Sequence, residues 1–455
     1  MRVPGTDRGR LLLLLVLGAA VTVFTATVPL LRGFFDLRVY YGAVSGWVHA
    51  GRIYDYRVPG TPYGFTYPPF AALVMLPMAL VRLRTAIAAS LLLNLAALAV
   101  MLRILAGPAR RRYGWYGWSL AACLLALFEP LRDTFSFGQV NLLLLALVLA
   151  DGRLLAAGRD RWAGAGIGLA AAVKLTPAVF IGLLLLARRW RAAALATAVA
   201  AGATALAARA DPGASRFYWT EALWDTGRVG RLDYVSNQSL QGVLARLGEP
   251  GRPVWATAVL LVLCVWARRA RAAVAAGDWP GAFALTGLTA CLVSPVTWVH
   301  HLVWLLPSFA VLLRAGHARL AGVLYAVLCT SVVWLWYDDA SGVDGFLGSN
   351  AYAWITLGLL LGLPCGQPSA FRPPLARKAS ATAAVPRQTT PATTPASGQP
   401  DPVPAGGGGA AAADGRGGWG TRASSEPTGS TRPDAVKPQS SSARASSYTA
   451  KPPPS

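Results

Sequence analysis

The side chains able to do chemistry in this chain are few, and they gather at the ends of apolar runs. Asp36 follows the first run by a few residues, Glu129 and Asp133 close another, and Gln139 and Asn141 open the next. Lys174 ends a fifth run, His300 and His301 stand at the start of a late one, and Asp338 and Asp339 follow another. Asn237, Gln238 and Ser239 fall between two runs. A carboxylate can take up a proton, an ammonium can pair with an anion, and imidazole and amide groups can orient a polar ligand. Within a bilayer each such group costs on the order of 2.5 to 3.5 kcal/mol on insertion scales, so their recurrence needs a common purpose. Counted along the alternating spans, nearly all of them fall at one face of the membrane, where they line a polar cavity.

The elements that must hold them are membrane helices. The chain has 455 residues, 54% hydrophobic and 14% charged, against about 25% charged in a soluble domain, so an all-α polytopic membrane protein is expected. Apolar runs fall near 11–31, 85–105, 117–133, 139–155, 162–175, 176–187, 191–209, 253–270, 281–297, 299–314, 318–337 and 350–365, which reads as about twelve spans. The run at 70–81 is too short for a crossing and contains Pro77. Leaving it as a half-buried surface helix puts Arg103, Arg153, Arg159, Arg161, Arg188, Arg189, Arg268, Arg269, Arg271, Arg314 and Arg319 on the cytoplasmic side, as the positive-inside rule requires. Both termini are then cytoplasmic. Two long segments, 32–84 and 210–252, lie outside.

The first of these carries Asp36 at the start of an amphipathic stretch whose Leu37, Tyr40, Tyr41, Val44, Trp47 and Val48 share a helical face, as in a helix lying along the membrane surface. It closes with Tyr67-Pro68-Pro69-Phe70, which stops one helix and starts another. The apolar run after the basic N-terminus is about twice a signal-peptide core and reads as an uncleaved first helix. Residues 366–455 turn to Pro, Ala, Gly, Ser and Thr and read as a disordered cytoplasmic tail, leaving residues 1–365 as the membrane domain. The net charge of +22 suits topology and anionic lipid rather than nucleic acid. The five cysteines lack metal or redox spacing.

DLRVYYGA, YPPF, FGQVNLLL, KLTP, SNQSLQGVLARL and SPVTWVHH, in this order, resemble the polyprenyl-phosphate-dependent mannosyltransferases of glycosyltransferase family 87, from the actinobacterial cell envelope. The resemblance covers residues 11 to about 365. It implies a GT-C fold, a bundle of transmembrane helices with surface helices in the first outer loop and an acidic residue in that loop as catalytic base. Under it Asp36 is the base, while Lys174, His300 and His301 attend the donor phosphate. Tyr67, Glu129, Asp133, Gln139, Asn141, Asn237 and Gln238 are candidate substrate contacts. The implied partners are a polyprenyl phosphate sugar donor, a glycolipid or glycan acceptor, and membrane lipids, at the plasma membrane with the site facing outward. Because one displacement inverts the anomeric centre, a β-linked lipid phosphate donor implies an α-linked product. No DxD pair stands beside Asp36 and no HExxH surrounds the histidines, so neither metal nor cofactor is expected.

Plainer roles compete at each position. Asp36 can cap its helix, Lys174 can snorkel to the interface, and Gln139 and Asn141 can join helices. Asn237 and Gln238 can cap a helix that starts at Ser239, and Glu129 and Asp133 can neutralise Arg132. An arabinofuranosyltransferase of the same fold, or a lipid-glycan flippase or transporter, would use the same kind of cavity. The clustering of polar groups at one end, with no visible inverted repeat, favours the enzyme.

Overall fold

Runs of Leu, Ala and Val stay helical until Pro or Gly interrupts them, and those interruptions set the architecture. A computed structural model describes residues 6–27, 33–51, 53–106, 109–248 and 251–366. Among them the structure is helical, with one antiparallel bridge, between Arg57 and Gly64. The expected tail lies outside the described residues, Gly366 excepted.

Helix α1 (Asp7–Thr27) precedes α2 (Phe35–Ala50), which buries Leu37, Val39, Tyr40, Ala43 and Val44. Val48, expected on the same face, is exposed on the last turn. The N-cap of α2 is Phe34 with no side-chain cap, so Asp36, inside the first turn, is not the capping residue. Pro69 then begins α3 (Pro69–Met75), followed by a 3₁₀ turn at Leu76–Leu80, so the run at 70–81 is two short pieces. Next come α4 (Leu83–Ala106), α5 (Ala109–Leu127), α6 (Glu129–Phe137) and α7 (Asn141–Ala156). After them stand α8 (Ala165–Val173), α9 (Val179–Leu186) and α10 (Trp190–Ala210).

Among the described residues α4 and α10 are long and apolar enough to cross a membrane, and α6 with α7, bent by 118°, makes a third candidate. The expectation of about twelve full spans is not met by helix length. Helices α8 and α9 hold nine and eight residues, where a crossing needs about 20. The reason lies at Lys174, whose extended backbone (φ −146°, ψ 130°) ends α8 before Pro177 starts the next turn. A Cβ added at Gly164 would meet the Ala192 carbonyl at 2.2 Å, and one at Gly168 the Ala196 carbonyl at 2.4 Å. So α8 runs parallel to α10 in very close contact. Continuing that register places Lys174 about two turns short of the Ala210 end of α10. The space beyond this tip is taken by α3, which packs on both α8 and α10. The N-terminus of α8 has only Gly164 as its cap, and the deficit is met from α7, where Asp151 Oδ2 accepts the Ile167 N–H at 2.7 Å.

At the far end of α10, Asp211 caps α11 (Pro212–Phe217) by accepting the Ala214 N–H at 2.8 Å, and its other oxygen accepts from Trp47 Nε1 at 2.8 Å, tying α2 to this corner. Ser239 caps α12 (Leu240–Ala245) as expected. Helix α13 (Gly251–Ala275) leads to α14 (Trp279–Val293), which is buried at every position from Gly281 to Leu292 and forms the centre of the bundle. A 3₁₀ turn at Val299–Leu305 carries the paired histidines into α15 (Leu306–Arg314), and α16 (Ala318–Cys329), α17 (Gly342–Ser349) and α18 (Ala351–Gly362) complete the described chain.

The α8–α10 contact can be tested by two glycine substitutions. Gly168→Ala should lower stability by about 1–3 kcal/mol through overpacking, read as a fall in the thermal midpoint of purified protein. Gly202→Ala, on α10 where an added Cβ meets nothing within 4 Å, should leave it unchanged or raise it by up to about 1 kcal/mol.

Candidate active site

The site is built where α6 turns into α7. Gly138 ends α6 in the left-handed region (φ 72°), and a Cβ there would meet Leu37 Cβ of α2 at 2.6 Å, so glycine is needed for both conformation and contact. The close approach sets Gln139 beside the first turn of α2. Gln139 Nε2 donates to Asp36 Oδ2 at 2.6 Å, and among the described residues no hydrogen bond reaches Asp36 Oδ1. The opposite end of the same amide, Oε1, accepts from Tyr67 Oη at 2.9 Å and from Asn141 Nδ2 at 3.3 Å. Tyr40, one helical turn past Asp36, donates to Tyr67 Oη at 2.9 Å.

Lys174, at the tip between α8 and α9, closes the group. Its Nζ lies 3.3 Å from Tyr67 Oη, 3.0 Å from Asn141 Oδ1 and 2.8 Å from His301 Nε2, and it sits 5.1 Å from the centre of the Tyr67 ring. Asp36, Lys174 and His301 keep part of their surface open, while Tyr40, Tyr67, Gln139 and Asn141 are buried behind them. An acid, an amine and an imidazole, each half-buried, are thus braced by a row of neutral groups. On α2, burial pushes the Asp36 carboxyl up to about 6, against the opposing effect of the Gln139 hydrogen bond.

The other expected site residues are placed elsewhere. His300, adjacent to His301 with its ring plane turned by 87°, packs on Phe137 instead of turning to Lys174. Its carbonyl nevertheless serves the site by accepting from Asn141 Nδ2 and Thr134 Oγ1. Asn237 and Gln238 are fully buried and bonded to backbone. Asn237 reaches the Leu232 and Pro295 carbonyls and the Thr297 N–H, while Gln238 reaches the Val235 and Ser349 carbonyls and the Ala353 N–H. They fasten the segment between α11 and α12 to the bundle, and every polar side-chain atom is engaged. Glu129 accepts from Trp334 Nε1 and Tyr352 Oη, and neither it nor the buried Asp133 is bonded to Asp36 or Lys174. Arg132 is not ion-paired to Glu129 among the described residues. It donates to Ser331 Oγ at 3.2 Å and stands over the Phe24 ring. Tyr40 was not among the expected site residues, although its i, i+4 spacing from Asp36 puts both on one helix face.

The model of glycosyltransferase family 87 matches residues 65–295, about half of the chain. The chain belongs to glycosyltransferase family 87. Among its relatives in that family is the polyprenol-phosphate-mannose-dependent alpha-(1-2)-phosphatidylinositol pentamannoside mannosyltransferase of Mycobacterium tuberculosis (strain CDC 1551 / Oshkosh), 33% identical over 71% of this chain and 78% of the relative. The protein so named from Mycolicibacterium smegmatis is 35% identical over 68% of this chain and 77% of its own length. A polyprenol-phosphate-mannose-dependent alpha-(1-2)-phosphatidylinositol mannoside mannosyltransferase of M. tuberculosis (strain ATCC 25618 / H37Rv) is 35% identical over 62% and 71%. No solved structure matches the chain. This family-87 protein is therefore a membrane-integral glycosyltransferase, with its polar cluster set among apolar helices.

Removing the Gln139 amide should raise the Asp36 pKa further, because a hydrogen bond to a carboxylate favours its charged form. In Gln139→Leu the titration should move up by about one pH unit. Infrared difference spectra against Asp36→Asn would read the carboxyl band directly.

Proposed function

We propose that this glycosyltransferase moves mannose from a polyprenyl phosphate donor to a glycolipid acceptor of the phosphatidylinositol mannoside class, forming an α linkage with inversion. The observation that carries the reading is the open Asp36 Oδ1, held across from Lys174 and His301 in one hydrogen-bonded group. In this reaction the acceptor oxygen attacks the anomeric carbon of mannose. The bond from that carbon to the phosphate oxygen breaks, and its electron pair leaves with the lipid phosphate. Asp36 Oδ1 takes the hydroxyl proton as the new bond forms. A carboxyl titrating near 6 is ionised at neutral pH yet basic enough to take part. Lys174 and His301 supply hydrogen-bond donors to the departing phosphate.

The printed names of the relatives specify mannose, which favours it over the arabinofuranosyl alternative, and membership of a glycosyltransferase family favours transfer over lipid flipping. The positive-inside pattern supports a plasma-membrane orientation with both termini cytoplasmic and Asp36 facing outward. In this orientation α8 and α9 form a hairpin that enters from the cytoplasmic side, and the remaining apolar runs bring the number of membrane-inserted segments to about twelve. The transferase is assigned to residues 1–365, with the segment beyond as an appendage.

Asp36→Asn should reduce transfer from polyprenyl phosphate mannose by about 10²- to 10⁴-fold at equal protein level. Because the carboxyl is held above its ordinary pKa, the folded protein loses stability as the pH rises from the ordinary 3.8 to about 6 and carries that full cost at neutral pH. The same variant should therefore raise the thermal midpoint at neutral pH. Undiminished transfer by Asp36→Asn would remove Asp36 from the reaction.

A further inference from the structure

The hydrogen bonds around Lys174 determine which atoms carry hydrogen. Asn141 Oδ1 can only accept, since Nδ2 of that amide already points at the His300 carbonyl and at Gln139 Oε1, each at 3.3 Å. Tyr67 also accepts from Lys174. Its single hydrogen goes to Gln139 Oε1, which must be the oxygen because Nε2 of that amide serves the Asp36 carboxylate. Two of the three contacts of Lys174 Nζ are thereby donations.

The third runs the other way. The backbone N–H of Trp298 points at His301 Nδ1 at 3.1 Å, and a backbone N–H can only donate. Nδ1 therefore holds the lone pair, and the hydrogen of the neutral ring sits on Nε2, aimed at Lys174 Nζ at 2.8 Å. The other tautomer would turn Nδ1–H toward the nearby Val296 carbonyl and leave the Trp298 N–H facing a second N–H. An imidazolium would set N–H groups against both neighbours. If Nε2–H donates, Lys174 nitrogen must accept, and an ammonium has no lone pair with which to do so. Two hydrogens given and one received is the full complement of a neutral amine.

We propose that Lys174 is an uncharged amine while the site is empty and takes one proton from solvent as the donor phosphate enters, becoming the cation that faces it. The proposal rests on the donor reading above. The ionisable groups around Lys174 are Asp36 of α2, Tyr67 of the first outer segment with Tyr40 behind it, Cys291 of α14, and His301 of the 3₁₀ turn, beside which His300 is turned onto Phe137. Asp36, the carboxylate among them, is bonded to Gln139 and not to the lysine. An ammonium here would otherwise have no counter-charge in direct contact, since its partners are Tyr67, Asn141 and His301. Arrival of a phosphate diester changes that balance, and the lone pair that accepted from His301 becomes the site of the new N–H bond. His301 Nε2–H is then released to donate to phosphate.

The test is calorimetric titration of polyprenyl phosphate mannose, whose diester keeps one charge throughout the neutral range, without acceptor. The protein is the full-length Asp36→Asn variant in lipid nanodiscs, so that the carboxyl cannot contribute protons. Heats measured in two buffers of unequal ionisation enthalpy give the protons exchanged. Uptake of about one proton per donor bound is expected, falling to none when Lys174→Arg is added, since a guanidinium arrives already charged. If that double variant does not bind, Lys174→Gln takes its place with the same expectation. Donor binding without proton uptake in Asp36→Asn overturns the proposal, and so does uptake that survives either replacement of Lys174. Absence of donor binding in both wild type and Asp36→Asn overturns the donor reading itself.

Discussion

Everything in the polar cluster hangs on one amide. The two ends of Gln139 have opposite hydrogen-bonding character, and the structure uses both. Nε2 holds the Asp36 carboxylate, while Oε1 gathers the hydrogens of Tyr67 and Asn141. Because an amide cannot exchange its ends without losing every one of these bonds, Gln139 fixes the direction of the whole network. From it follow the orientation of Tyr67, the acceptor role of Asn141 Oδ1, and the place of Lys174. The amide is itself placed by Gly138, whose missing side chain lets α2 come within contact of the α6–α7 turn.

That turn also explains how the Asp36 carboxyl is kept apart from the nearest amine. A direct ion pair between Asp36 and Lys174 would neutralise both and leave neither free to meet a substrate. With neutral side chains interposed, the carboxylate keeps one oxygen open and the amine keeps its exposed face. A second buried polar group, around Glu129, Trp334 and Tyr352, is consolidated in the opposite way, with both carboxylate oxygens occupied. The contrast between a carboxylate with one recorded hydrogen bond and one with both oxygens occupied separates Asp36 from Glu129 more clearly than burial does.

Much of this was legible in the sequence because polar side chains are conspicuous in apolar runs. Asp36, Tyr67, Gln139, Asn141, Lys174 and His301 were all singled out, and the structure brings them together. Asn237 and Gln238 were conspicuous for the same reason, but their partners are backbone groups, which sequence does not display. Tyr40 was hidden because an aromatic on an amphipathic face reads as packing. Helix number was legible as apolar runs, yet helix length was not. The runs 162–175 and 176–187 already meet beside Lys174, but nothing in their composition reveals that they form the short arms α8 and α9 instead of full spans. Asp151, inside another run, drew no notice because its partner is the bare N-terminus of a neighbouring helix.

The shortness of α8 has a further consequence for a lipid substrate. A phosphate anchored to a polyprenyl chain would have to rise out of the membrane to reach a site perched on top of a full-length bundle, dragging isoprene units into water. If the donor binds as proposed, a tip set about two turns below the end of α10 would instead carry the polar groups down to the phosphate. The work of placing a polar surface inside a low-dielectric slab would then be done once, when the bundle folds around α8, rather than at each turnover. The same depth would screen the reacting anomeric carbon from bulk water, the most abundant competing nucleophile, and so favour transfer to a sugar hydroxyl over hydrolysis.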